Sequence, residues 1–202
     1  MIVYGSSLAP AARKVLAFIG EKGVAAEHRP VAPHDASPEF EKASPLGQIP
    51  AFVDGAFCLS DSTAICHYLE RRYPSPALFP ADAQAYGRMV WFDRFADSFL
   101  GAAECKIVIN LVVKRMRNEE PDMRAVQSAA NDELPPLFDY LESQIGGPFL
   151  VGDTLSLADL AVASPFASLK IAGYSIDAAC WPRLDAYVEG ILGRDTMSGI
   201  GD

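Results

Sequence analysis

The chain has little of what disulfide-built, metal-binding or nucleic-acid-binding proteins rely on. It has four cysteines, Cys58, Cys66, Cys105 and Cys180, and no Cys-x-x-Cys pair. That excludes the usual cysteine zinc site and the dithiol redox motif. Its three histidines, His28, His34 and His67, are scattered, so no metal is expected. Thiols without a framework are expected to be reduced and mostly buried, in a cytoplasmic protein. Cationic residues are scarce: 17 Lys and Arg against 26 Asp and Glu give a net charge of −9. Such a chain lacks the cationic face that a nucleic acid or an anionic membrane requires. No apolar run reaches the length of a membrane span, and Met1 leads straight into strand-like "MIVYG" without a targeting segment. No internal repeat or low-complexity tract is present. What remains is a globular composition, 50% apolar and 21% charged, long enough for one large core or two small ones.

Periodicity divides the chain in two. Residues 2–5 read as a strand, "PAARKVLAFIGEKG" as a helix stopped at Gly23, and "VAAEHRPV" as a second strand. "SPEFEKASP" reads as a short helix or turn. "IPAFVDGAFCLS" reads as a hairpin around Asp54-Gly55, and "DSTAICHYLERRY" as a helix ended by Pro74 and Pro76. The order β-α-β, then β-β-α, is that of a thioredoxin-like half-domain. From about residue 84 the periods are helical only. Pro121 interrupts them, Pro135-Pro136 should break or bend a later helix, and Ser156 with Asp159 forms a capping box. The proline-rich stretch at about 74–83 is the expected linker, between domains at 1–78 and 84–202.

Three short stretches carry chemistry. In "YGSSLAPAARKV", Pro10 suits the first turn of a helix, where its missing N–H has no partner to lose. The loop before it collects unpaired N–H groups and the positive helix end, which favour an anion or a thiolate. Ser6 and Ser7 stand in that loop, as ordinary turn residues or as hydroxyl donors. In "GQIPAFVDG", Pro50 either opens a strand or follows a cis bond that turns the Ile49 backbone outward to pair with an extended peptide. In "LSDSTAICHYL", Asp61-Ser62 is either a plain helix cap or a binder of an α-amino-acid group. In the second role Ser62 and the first N–H groups would hold the carboxylate, and Asp61 the ammonium.

These stretches, with "SPEFEKASPLGQIPAFVDG", "LSDSTAICHYLERRYP", "FLVGDTLSLADLAVA" and "WPRLDAYVEGILGR", resemble the cytosolic-type glutathione transferases over almost the whole chain. The resemblance implies an α/β plus all-α fold: a thioredoxin-like domain followed by a helical bundle, usually paired in a homodimer. It implies glutathione as a substrate on the first domain and an apolar acceptor pocket between the two. Gln48, Ile49 and Pro50 match the segment that pairs with the cysteinyl part, and Asp61 and Ser62 the pair that holds the γ-glutamyl end. The family's basic residue before "SPEF" falls on Asp35 or Ala36, which leaves His34 as the nearest cation. Serine-type relatives carry S-P-x-x-x-[RK]-V, whereas this chain has Ala9 before the proline.

Without that hydroxyl, the thiolate donor would be Ser7, Ser6, the loop amides or Tyr4. Lowering a thiol from about 8.5 to about 6.5 takes roughly 2.7 kcal/mol. One hydrogen bond to an ionised group, at about 1.5–3 kcal/mol, is enough. The implied activity is attack of the glutathione thiol on an apolar electrophilic small molecule, with Met89, Phe92, Phe95 and Cys105 as core residues or as pocket lining. The competing reading is a transferase-like scaffold that binds glutathione weakly or not at all and serves as a partner module. A thiol reductase would need a cysteine within residues 4–15, where none occurs.

Overall fold

Strand β1 (Ile2–Tyr4) is apolar on the face it buries, and Gly5 lets the chain leave it sharply in the computed structural model, which describes residues 1–201. Gly5 has φ +152°, and a Cβ there would lie 2.9 Å from the Ala12 side chain. Helix α1 (Pro10–Glu21) follows, with Pro10 in its first turn, and Gly23 at φ +64° turns the chain beyond its end. Then come β2 (Glu27–Arg29), α2 (Pro38–Ala43), β3 (Ala51–Asp54), β4 (Phe57–Ser60) and α3 (Ser62–Arg72).

The sheet order is β2-β1-β3-β4, with β1 parallel to β2 and antiparallel to β3. This is the expected thioredoxin-like half. The hairpin loop is Gly55-Ala56, one residue later than "Asp54-Gly55" predicts. Asp54 still pairs with Phe57, and its carboxylate accepts from the Tyr68 hydroxyl at 2.8 Å. Val3, Phe52, Val15, Phe18, Ile65 and Leu69 fill the layer between the sheet and helices α1 and α3. Tyr4, Phe40, Ala43 and Ala51 form a smaller core on the α2 side.

Residues 83–116 make one continuous helix, α4. Its segments Ala83–Phe95, Gly101–Val108 and Lys114–Met116 are joined by π turns at Ala96–Leu100 and Ile109–Val113. Residues 123–144 make α5, and here the break that the sequence allows is corrected. Pro135 and Pro136 do not break it; they open its last segment (Leu134–Gln144) directly after a π turn at Ala129–Glu133. Proline cannot donate the N–H of a regular turn, and a widened turn just before it removes much of the conflict. Helices α6 (Leu157–Ile171), α7 (Pro182–Leu192) and α8 (Asp195–Ser198) complete the bundle.

Helix α6 is apolar nearly all round and lies buried against α1, α4 and α7. The carboxylate of Asp159 accepts from the Ser156 N–H at 2.8 Å and the Leu150 N–H at 2.8 Å, and from the Tyr187 hydroxyl at 3.0 Å. One further expectation fails in part: Cys66 is buried and Cys58 partly so, but Cys105 and Cys180 are exposed. Met89, Phe92 and Phe95 take the core alternative, on the inner stripe of α4, whereas Cys105 faces outward.

Candidate active site

A cleft of about 430 Å³ lies beside the start of α1. Its walls are Pro33, His34, Gly47, Gln48, Ile49, Pro50, Asp61 and Ser62 from the first half, with Ala11 from α1 and Arg94 and Asp97 from α4. The six residues that the sequence assigns to glutathione binding are therefore neighbours. Ser6 and Ser7 lie outside this lining, on the loop behind it.

The local chemistry of each wall follows from its element. The Ile49–Pro50 bond is cis. The Ser44 hydroxyl donates to the Gln48 carbonyl at 2.8 Å and fixes the turn ahead of it. The His34 N–H donates to the Gly47 carbonyl at 2.8 Å, and a Cβ on Gly47 would fall 2.2 Å from the His34 ring. Only glycine lets the ring lie so close, at a φ of +69° that glycine also favours. Asp61 caps α3: its Oδ1 accepts from the Ala64 N–H at 2.8 Å. Its Oδ2 takes no hydrogen bond among the described residues. Ser62 is the first residue of that helix and is buried.

The loop from β1 to α1 ends at Ala9, the residue before α1, which supplies no side-chain cap. The Ser6 Oγ accepts from the Leu8 N–H at 3.2 Å, and Ser7 is 8% exposed. Tyr4 points away into the smaller core, stacked edge-on against Phe40, and its hydroxyl accepts from Arg29 at 3.0 Å.

Behind the cleft lies a charged cluster around Lys14, which stands at the basic position of the S-P-x-x-x-[RK]-V pattern. The Lys14 Nζ is fully buried and meets Asp93 Oδ1 at 2.7 Å and Asp97 Oδ1 and Oδ2 at 3.0 Å. The Thr63 hydroxyl donates to the other Asp93 oxygen at 2.6 Å. Burial pulls the Lys14 ammonium down, but the two carboxylates outweigh it and its pKa ends above the ordinary value. Burial pushes the Asp97 carboxyl up, opposed by Lys14 and reinforced by Asp93. Burial likewise pushes the Cys66 thiol far up, so it is inert. Arg94 lies 3.7 Å from Asp97 at the cleft mouth. The available signal was Lys14 inside an apolar helix and two aspartates one turn apart at 93 and 97. A pairing across 79 residues is invisible without the fold.

A thioredoxin-like sheet domain joined to a helical bundle, with a polar cleft at the first domain's helix starts, defines a class of two-domain proteins. The comparisons agree. The family description "Glutathione S-transferase, N-terminal domain" matches residues 3–77, and "Glutathione S-transferase, C-terminal domain" matches 100–195. Glutathione S-transferase hmp2 of Hypomyces subiculosus is 32% identical over 201 residues, covering 96% of this chain and 94% of that one. A glutathione S-transferase of Triticum aestivum is 32% identical over 195 residues, covering 93% and 88%. The crystal structure of a glutathione S-transferase from Rhodospirillum rubrum F11 superposes with a TM-score of 0.89 at 24% identity, over 97% of this chain and 89% of that one. The chain belongs to the glutathione S-transferase family.

Proposed function

We propose that this enzyme binds glutathione in the cleft and activates its thiol for attack on an apolar, electrophilic small molecule, which leaves the intact glutathionyl group joined to it through a new carbon–sulfur bond. The observation that carries the reading is the gathering of Gln48, Ile49, Pro50, Asp61, Ser62 and His34 around one cleft at the start of α1. The backbone at Ile49, in the cleft lining, would pair with the cysteinyl unit as an added strand. Ser62 and the first N–H groups of α3 suit the γ-glutamyl carboxylate, and Asp61 its ammonium. The thiolate would lie towards the open N–H end of α1, with Ser7 or Ser6 as the hydroxyl donor that Ala9 does not provide. The enzyme's contribution is then to hold the sulfur ionised and aimed. A homodimer belongs to the same reading, and light scattering at twice 21.7 kDa is its mark.

The test is retention on immobilised glutathione, followed by conjugation of a generic aromatic halide and a spectroscopic pKa of the bound thiol. If a serine is the donor, replacing it with alanine slows conjugation by about 10–100-fold, the equivalent of about 1.4–2.8 kcal/mol. Affinity changes little, because that bond strengthens only as the proton leaves. Ala9→Ser should raise the rate. A bound thiol near its free pKa in the parent protein overturns the catalytic reading and favours a scaffold.

A further inference from the structure

Leu8 stands in the loop between β1 and α1, one residue before Ala9, and both of its backbone polar groups are engaged. Its N–H donates to the Ser6 Oγ at 3.2 Å. Its carbonyl accepts from the Ser168 hydroxyl at 2.7 Å, across 160 residues of sequence. The Ala9 N–H, on the same peptide unit as that carbonyl, donates to the Ser6 carbonyl at 3.0 Å. Ser168 lies on α6 and is fully buried. One turn earlier on the same helix, the buried Ser164 hydroxyl donates to the Leu160 carbonyl of its own helix at 2.7 Å. That is the usual use of a serine inside a helix. Ser168 instead spends its proton on the loop of the other half.

A peptide unit is rigid in itself but turns freely about the two torsions that flank it. The Leu8–Ala9 unit is therefore oriented by what its two ends bond to. The loop holds the N–H end, and the helical half holds the carbonyl end. A buried carbonyl without a donor is costly, so the Ser168 proton selects the orientation in which Leu8 faces α6. That orientation in turn places Ser6, which is bonded to both Leu8 and Ala9, and Ser7, which lies between Ser6 and Leu8 in the chain. Ala9 makes no side-chain cap to α1, so the restraint that a capping side chain commonly gives such a loop is missing here. The restraint comes from α6. Ser168 itself does not line the cleft, so any influence on a bound thiol runs through the loop.

We propose that Ser168 is a positioning residue for the glutathione reaction: reaching from the helical half, its hydroxyl fixes the Leu8–Ala9 peptide and so holds the donors of residues 6–7 in place for the thiol. The proposal rests on the reading that this loop serves the glutathione thiol. Donors fixed in advance stabilise a developing negative charge without having to reorganise. Without the Ser168 proton the peptide unit samples other orientations, and the donors spend part of their time turned away. A Leu8 carbonyl turned towards the sulfur would also repel its charge. Ser168 touches neither glutathione nor the acceptor, so its loss falls on the ionisation of the bound thiol and on kcat, with little effect on binding.

The experiment compares the parent with Ser168→Ala, Ser168→Cys and Ser168→Thr. Three readings are taken: the ¹³C resonance of a labelled Leu8 carbonyl, the spectroscopic pKa of bound glutathione, and kcat beside the dissociation constant for glutathione. Ser168→Ala removes the donor. Ser168→Cys keeps nearly the same volume with a weak S–H donor, and repeats the test should the alanine form be unstable. Ser168→Thr keeps a hydroxyl. Alanine and cysteine should each move the Leu8 resonance and raise the pKa of the bound thiol by about one unit. At pH values below that pKa, kcat should fall roughly tenfold while the dissociation constant changes by no more than about twofold. Threonine should stay near the parent in all three readings. A Leu8 resonance unmoved in both Ser168→Ala and Ser168→Cys overturns the hold on the loop. A thiol pKa and kcat at the parent's values, once that resonance has moved, overturn the positioning role, as does a lower melting temperature with no change in the thiol. A parent that binds no glutathione overturns the proposed function instead, and the Leu8 resonance still decides whether Ser168 holds the loop.

Discussion

Asp61 has two carboxylate oxygens, and the fold uses one. Oδ1 caps α3, which is one of the two sequence readings of this residue, and Oδ2 takes no hydrogen bond among the described residues. Two substitutions separate them. Asp61→Ala loses cap and charge, and should cost about 1 kcal/mol of stability. It should also weaken glutathione binding by about 1.5–3 kcal/mol. Asp61→Asn caps as well as aspartate, so its melting temperature should stay near that of the parent while the affinity still falls. Calorimetric titration and a thermal melt on the same samples read both effects. The residues on this side of the cleft were legible because they are consecutive: Gln48, Ile49 and Pro50 form one turn, Asp61 and Ser62 one helix start. Arg94 and Asp97 were not, because α4 brings them in from the other half and nothing local marks them.

At the level of elements, α1 was readable in its length and capping and unreadable in its company. Its apolar pattern predicts a buried inner face, and Val15, Phe18 and Ile19 supply it. The same pattern gives no reason for a buried lysine. Lys14 joins α1 to α4, and Thr63 joins α3 to the same aspartate. Removing one member of such a buried pair strands the others, at about 3–5 kcal/mol. Lys14→Met should therefore lower the unfolding free energy read by urea titration by that amount, although methionine fits the space. Lys14→Met combined with Asp93→Leu should recover part of the loss, because the unpaired buried charge has gone. Pro135-Pro136 teaches the same lesson for α5. The sequence shows the lost donors, and only the structure shows that a π turn absorbs them.

At the scale of the molecule, buried acids tilt the dependence of stability on pH. The folded Glu104 binds its proton up to about 8, whereas an exposed glutamate releases it near 4.5. Between those values the folded state holds more protons than the unfolded one, so stability declines as pH rises through the window and levels off above it. The decline from this one group is on the order of 4 kcal/mol. Glu21 works in the opposite direction at the acid end. Burial would raise its carboxyl, but hydrogen bonds from Arg194 and Thr196 outweigh it, so its stabilisation is lost as pH falls below the ordinary glutamate value. Urea midpoints at about pH 5.5 and about pH 8.5 should differ clearly in the parent and much less in Glu104→Gln. The two-domain plan itself was legible, since strand signals stop where helical periods begin. The buried acids were not, because their partners lie on other elements.

The cleft has walls from both halves: His34, Gln48 and Asp61 on one side, Arg94 and Asp97 on the other. Whatever fills it bridges two halves that also share one hydrophobic core. Neither half can come apart without first letting the occupant go. By mass action an occupant at a hundred times its dissociation constant adds about 2.7 kcal/mol to the folded state. That increment falls on the whole chain rather than on either half, so a loaded molecule should melt in a single, sharper step.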